Sequence, residues 1–455
     1  MSSADGRSFR VVASPEVGIR AGDYLIFGDN AGAEHLGFVE ETVHSDAADI
    51  GTGAILPRRG SAPPATIRNS PAHRSGSAEI ADVLVGRPSE MEIGHLASNP
   101  QVRVGLLGSR LNRHTFWCGQ SGSGMTYALG VALEQVLVHT RLPVVIFDPN
   151  SDFVRLNEAR PGADASDVER LRALDIRILR PGLGEGSLRV RFRSMTSRAW
   201  GAILQLDPVV DRHEYNTLIH QAPVLAGEPE RVPELLRSVA GADGDQLAER
   251  LENLEVFAWQ TWARDNVPAT DVIAERAAAT VLDLGGFTRI EEQLTVALAV
   301  LDDLWARREE RRPVLLVIDE AHNLCAPDME SLLGRAVRDR IIQIAAEGRK
   351  FGLWLLLSTQ RPSKVHHGIV SQCDNLTLMR MNSPGDLEEL ADIFGFVPRA
   401  MLAQSARFRQ GEALLAGGFV SAPSITKFGI ASLPRGASMC RSDADGMNGI
   451  EIRTC

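Results

Sequence analysis

The sequence lacks the means for a disulfide framework or a zinc site of ordinary spacing. Its five cysteines (Cys118, Cys325, Cys373, Cys440 and Cys455) are scattered, odd in number and form no C-x-x-C pair. That usage points to reduced thiols in a cytoplasm. Long apolar runs are also missing. The longest, "VVIF", "VLLVI" and "LWLLL", have the length of buried strands, far short of the roughly 20 residues that span a bilayer. No membrane association is expected. No charged-then-apolar leader opens the sequence, so secretion is not expected either. There is no excess of positive charge: a net −10 at pH 7 excludes a protein that coats nucleic acid with its whole surface, but leaves room for a local basic channel. No internal repeat is evident. What is present is ordinary in amount, 44% hydrophobic and 23% charged over 455 residues, enough for two or three domains and a large core.

Residues 9–43 alternate apolar and polar, with turns at "PEVG", "RAGD" and "GDNAG"; "YLIFG" and "LGFVEETV" read as short strands. "PRRGSAPPATIRNSPAHRSGS", Pro57 to Ser77, reads as a mobile loop from its Pro, Ser and Arg content. Residues 1–100 are therefore expected to form a small β domain. From Arg113 the rhythm becomes strand–loop–helix: "HTFWC", "TYALGVALEQVLVH", "PVVIFD", "IRILR", and later "PVLLVID", "SLLGRAVRDRIIQIAAEGR" and "LWLLLSTQ". Continuous apolar strands alternating with helices predict an α/β domain with a mostly parallel sheet covered on both faces. It should occupy 101–195 and 267–430, interrupted by an all-helical insertion at 196–266 and followed by a tail at 431–455.

One further lack is a single residue. "GQSGSGMT", Gly119 to Thr126, has the glycines and the threonine of the phosphate-loop pattern G-x-x-x-x-G-K-[ST], but Met125 stands where the lysine belongs. The glycines let the backbone wrap an anion closely, the loop amides and helix start face it, and the Thr126 hydroxyl suits Mg²⁺. The alternative is an ordinary Gly/Ser strand–helix turn. "RRPVLLVIDEAHNL" weighs against that. It is an apolar strand ending in Asp319 and Glu320, on the sheet edge where ligands gather. Asp319 suits a magnesium water shell, and Glu320 suits polarising an attacking water. "LWLLLSTQ" ends in Ser358, Thr359 and Gln360, polar groups expected beside the carboxylate strand; a simple polar turn is the alternative. Asp148, closing "VVIFD", is a further strand-end carboxylate with the same ambiguity.

Together "NRHTFWCGQSGSG", "VVIFDPNSDF", "VLLVIDEAHNL", "AAEGRKFGLWLLLSTQRPSKV" and "VSQCDNLTLMRMNSPGDLEEL" resemble, in order and spacing over about residues 105–420, the HerA family of hexameric DNA-translocating ATPases, relatives of the FtsK motors. The resemblance implies a RecA-like P-loop ATPase domain preceded by a small N-terminal β-barrel. It implies ATP and Mg²⁺ as cofactors, with Gly119, Gln120, Ser121, Gly122, Ser123, Gly124, Met125, Thr126 and Asp148 around the nucleotide and Thr126 and Asp319 toward the metal. Glu320 would activate water and Gln360 would sense the γ-phosphate. Arg113 and Arg349 match the family's arginines that act between neighbouring subunits, where they stabilise charge on the phosphoryl group; a surface salt bridge is their plain alternative. The implied partners are further copies in a hexameric ring, double-stranded DNA, and a nuclease or other effector in DNA-end processing or antiphage defence, docked on the N-terminal barrel. Met125 departs from the pattern, since methionine fills similar volume without charge. Two accounts stand open: a chain that has lost hydrolysis, or one substitution in an otherwise competent motor, whose other site residues are all in place. A ring scaffold that binds nucleotide without translocating is the rival reading, which Met125 favours. A conjugation or secretion motor is a further rival, which the lack of a membrane segment disfavours.

Overall fold

A computed structural model describes residues 1–29, 32–56, 66–74, 91–158, 165–182, 184, 186–221, 231–264 and 266–429. The expected tail at 431–455 and most of the Pro/Ser/Arg-rich segment lie outside these residues.

An N-terminal antiparallel sheet comprises β1 (Ser8–Ala13), β2 (Tyr24–Gly28), β3 (Glu34–His44), β4 (Asp49–Leu56) and β5 (Ala72–Arg74), in the order β1-β4-β3-β2-β5. Among the described residues β1 and β5 do not pair with each other, so the barrel is an open half-barrel. The segment read as a loop from Pro57 to Ser77 contains β5, which pairs with β2 through Ala72, His73 and Arg74. The apolar run of β2 reflects burial on both faces. Leu25 and Phe27 join the half-barrel's own core with Phe9, Val11 and Val39, while Tyr24 and Ile26 join the large core of the α/β domain.

The large sheet takes in β6 (Met91–Leu96), β7 (Asn99–Leu106), β8 (His114–Cys118), β9 (Val144–Asp148), β10 (Ile176–Leu179), β11 (Ala279–Asp283), β12 (Val314–Ile318), β13 (Leu353–Thr359), β14 (Cys373–Met379), β15 (Glu412–Gly417) and β16 (Ser424–Phe428). Its order is β10-β11-β9-β12-β13-β8-β14-β15-β16-β6-β7. From β10 to β14 every pairing is parallel, and from β14 onward every pairing is antiparallel. The parallel strands β8, β9, β11 and β12 are buried along their whole length, as strands covered on both faces must be. The β6–β7 hairpin corrects the expected end of the N-terminal domain. Residues 91–106 hydrogen-bond to β16 rather than to the half-barrel. Alternation of apolar residues identifies a strand, not the sheet it joins.

Between β10 and β11 lie helices Ser197–Ile203, Arg212–His220 and Val232–Asn253. Their core is aromatic: Phe192 sits 4.4 Å from Trp200 and 5.0 Å from Trp262, ring centre to ring centre. Among the described residues no helix is long and apolar enough to cross a membrane.

Candidate functional site

The phosphate-loop segment runs from β8 into helix α1 (Met125–His139). Its neighbours hold it open from outside. The Gly119 amide donates to the Thr359 carbonyl at 3.3 Å, the Gln120 amide to the Arg380 carbonyl at 2.8 Å, and the Gly411 amide to the Ser123 carbonyl at 2.8 Å. Gly122 and Gly124 take φ of 75° and 89°, left-handed values that suit glycine. A Cβ at Gly119 would lie 2.7 Å from Cβ of Met379, so only glycine fits. The Ser123 hydroxyl is buried and has no partner among the described residues, a polar group awaiting an acceptor or donor. These features fit an anion cradled at a helix N-terminus. Thr126 is half-buried at the second helical position. Met125 is 5% exposed and packs into the large core.

Two strands away, β12 delivers Asp319 and Glu320, and β13 between them delivers Ser358, Thr359 and Gln360. The parallel ladder therefore places three strand ends side by side. Ser358 Oγ donates to Asp319 Oδ1 at 2.5 Å. Gln360 Nε2 donates to Glu320 Oε1 at 2.6 Å, and the Gln360 amide reaches Oε2 at 3.3 Å. His322 Nδ1 lies 3.3 Å from Glu320 Oε2 and 3.1 Å from Thr359 Oγ1. Glu320 holds φ of 42°, a conformation that costs a non-glycine residue about 1–3 kcal/mol and collects at functional sites.

Burial pushes the Asp319 carboxyl up to about 7 against the pull of Ser358, and the charges of Asp148, Glu320 and Asp152 add to the rise. Burial also works to raise Glu320, but hydrogen bonds from His322 and Gln360 outweigh it and hold this carboxyl below its ordinary range. The two adjacent carboxylates are thus pulled apart: one is ready to ionise against a cation, the other is already ionised. Among the described residues no group of three His, Cys, Asp or Glu can hold a metal alone. Magnesium here would need phosphate oxygens and water to complete its shell.

Asp148 is occupied by its own loop. Its carboxylate accepts the amides of Asp152 at 2.9 Å and Phe153 at 2.8 Å, and burial lifts it to about 6. It shapes the floor beside Asp319 and has its lone pairs turned to the chain.

Arg113 and Arg349 lie elsewhere. Both precede strands of the parallel sheet, so they sit at the edge opposite the phosphate loop. Five residues of β8 separate Arg113 from Gly119, about 20 Å at the rise of a strand. The two arginines meet on one carboxylate: Arg349 Nη1 donates to Asp374 Oδ2 at 2.6 Å, and Arg113 Nε lies 3.6 Å from the same oxygen. All three side chains are 35–46% exposed. Beneath them the buried His114 accepts the Leu355 amide on Nδ1 and donates from Nε2 to the Ala345 carbonyl. Burial, then the Arg349 and Arg113 charges, lower its pKa to about 4. Two guanidinium groups on one exposed carboxylate leave a net positive charge facing outward.

Sequence reasoning missed three residues. His322 follows Glu320 by two positions in the same turn and was open to notice. Asp374 and Arg380, at the two ends of β14, became legible only once β14 paired with β8.

Residues 91–226 match the family described as helicase HerA, central domain. The chain is 23% identical over 424 residues to the DNA double-strand break repair helicase HerA of Pyrococcus furiosus, covering 79% of this chain and 73% of that protein. The chain is similar to HerA-family proteins over most of its length. A probable DNA double-strand break repair helicase HerA of Methanocaldococcus jannaschii is 22% identical over 471 residues, spanning 90% of this chain and 91% of its own length; HerA-like sequence thus extends through both sheets. Among solved structures, VirB4 of Thermoanaerobacter pseudethanolicus superposes with a TM-score of 0.53 at 14% identity, covering 76% of this chain and 98% of that one. This chain and VirB4 share a fold.

Proposed function

We propose that this HerA-family chain is the subunit of an ATP-driven double-stranded DNA translocase that works as a hexameric ring in a cytoplasm. The observation that carries the reading is the alignment of β8, β13 and β12, which sets the Gly119–Thr126 loop, Gln360, and the Asp319–Glu320 pair at adjacent strand ends. Bound magnesium–ATP would supply the phosphoanhydride whose cleavage drives the motor. The loop amides would orient its phosphates, and Thr126 and Asp319 would hold the metal. Glu320 is the ionised carboxylate placed to take a proton from water, and Gln360, now tied to it, would report the presence of the γ-phosphate.

The arginines support the ring. About 20 Å from their own loop, Arg113 and Arg349 cannot serve it. In a head-to-tail ring the edge they occupy can face the loop of the next subunit. Their bond to Asp374 is an exposed ion pair worth little in water, so it can be exchanged for a neighbour's phosphate. The half-barrels would gather at one end of the ring and offer repeated docking sites to a nuclease or other effector. DNA-end processing or antiphage defence is the setting this proposal expects.

Met125 limits the rate in this version of the chain. Its burial in apolar surroundings specifically favours a second reading, a ring that binds nucleotide and organises an effector without translocating. One experiment separates the two: phosphate release at saturating magnesium–ATP, with and without double-stranded DNA, for the chain and for Met125→Lys, alongside the assembly mass. A ring whose lysine variant turns over ATP faster on DNA supports the motor. A ring in which both chains bind nucleotide and neither turns it over supports the scaffold.

A further inference from the structure

The loop of this chain has lost its lysine, but a cation still reaches it. Arg380 follows β14 directly. Its carbonyl accepts the Gln120 amide at 2.8 Å, which pins its backbone to the level of the loop. Its guanidinium turns over the loop: Nη2 donates to the Gly122 carbonyl at 3.3 Å, and it is the atom that a Cβ on Gly122 would approach, at 3.7 Å. Nε of the same group is buried and has no partner among the described residues. No ion pair among those residues takes up its charge. A buried guanidinium nitrogen without an acceptor is costly. Ser123, next in the loop after Gly122, has a buried hydroxyl that is also without a partner among the described residues.

We propose that Arg380 supplies in cis the phosphate-neutralising charge that Met125 cannot. The inference rests on the nucleotide-site reading above. In this structure the guanidinium is bonded to a backbone carbonyl. With phosphates present, its planar fork can turn from that carbonyl to non-bridging oxygens, which it matches better than a point charge does. Lys427 is the competing cation. Its ammonium donates to the Gln410 carbonyl beside Gly411, whose amide holds the Ser123 carbonyl, and it contacts no loop residue in the hydrogen bonds of the described residues.

The test measures binding of a fluorescent ATP analogue with magnesium, and competition by ATP, ADP and AMP, for the full chain and for Arg380→Ala, Arg380→Gln, Lys427→Ala and Met125→Lys. Losing a charge-assisted hydrogen bond to phosphate predicts at least about a tenfold weaker affinity for ATP in Arg380→Ala. AMP, which lacks the distal phosphates, should bind the variant and the natural chain alike. Arg380→Gln keeps a donor for the Gly122 carbonyl but no charge, and should be as weak as alanine. In the Met125→Lys background Arg380→Ala should cost less than about threefold, because the two cations serve one role. Recovery by Arg380→Gln, an equal loss for AMP, or a full loss only with Lys427→Ala overturns the inference. Binding by Met125→Lys but none by the unchanged chain also overturns it and leaves the nucleotide-site reading of the loop standing. No binding by either sinks both.

Discussion

Restoring a lysine at position 125 is the sharpest perturbation the site offers. Met125 opens α1 and is 5% exposed, so a lysine there can lay its aliphatic stem along the space methionine fills and lift its ammonium toward the loop. An electrostatic contact of this kind on a developing phosphoryl charge is worth about 3–4 kcal/mol, roughly a hundred- to a thousand-fold in rate. Arg380 already stands over the loop, so part of that charge is supplied and the gain should fall below the full range. We expect Met125→Lys to raise the hydrolysis rate at least about tenfold, or about 1.4 kcal/mol in barrier. The variant should also melt lower than the natural chain without nucleotide, since an ammonium replaces an apolar group in a buried place, and regain more on adding magnesium–ATP. The assay is steady-state phosphate release, with Glu320→Gln as the floor. A lysine variant no faster than that floor would show that the missing charge is not what limits this site.

In the Met125→Lys background, Arg349→Ala should abolish turnover and leave nucleotide binding within about twofold, and light scattering should give a ring; a monomer at micromolar concentration with nucleotide refutes the arrangement. Asp319 carries a pH signature. Its folded pKa of about 7 lies above the ordinary aspartate value of 3.8, so the native state holds the proton longer than the unfolded chain and stability from this group falls as pH rises from about 4 to about 7. Without magnesium, Asp319→Asn should therefore flatten the drop in melting temperature between pH 5 and pH 8, and an unchanged drop counts against the burial argument. Removing residues 1–74, rather than the whole first hundred, should abolish effector capture and leave a motor that still folds but melts lower, because β6 and β7 stay with the large sheet while Tyr24 and Ile26 are taken from its core; equal capture by both chains would move docking to the helices of 196–266.

The candidate site's edge of the sheet was legible in the sequence because its signals are local. Each strand of "HTFWC", "VLLVI" and "LWLLLST" ends in the residues that matter, and strand ends on one edge of a parallel sheet converge. What was not legible depends on pairing. β11 is four apolar or small residues closed by Asp283 inside a helix-rich stretch and gives no periodic signal. The assignment of β6–β7 to the large sheet, and of Arg380 to the loop, follows from β16 and β14 lying where they do, which no single segment encodes. Asp148 was ambiguous because a strand-end carboxylate can serve a ligand or its own turn; two amides at 2.8–2.9 Å give it to the turn.

The double allegiance of β2 has a mechanical consequence. Alternate side chains of one short strand are anchored in two different cores, Leu25 and Phe27 in one and Tyr24 and Ile26 in the other. The Ile425 amide donates to the Tyr24 hydroxyl at 3.4 Å across the seam. Such a strand is a rivet, not a hinge. The half-barrel cannot swivel on the α/β domain without pulling buried side chains out of one core or the other, so a movement begun at the loop would be delivered stiffly to the half-barrel, with little lost as slack.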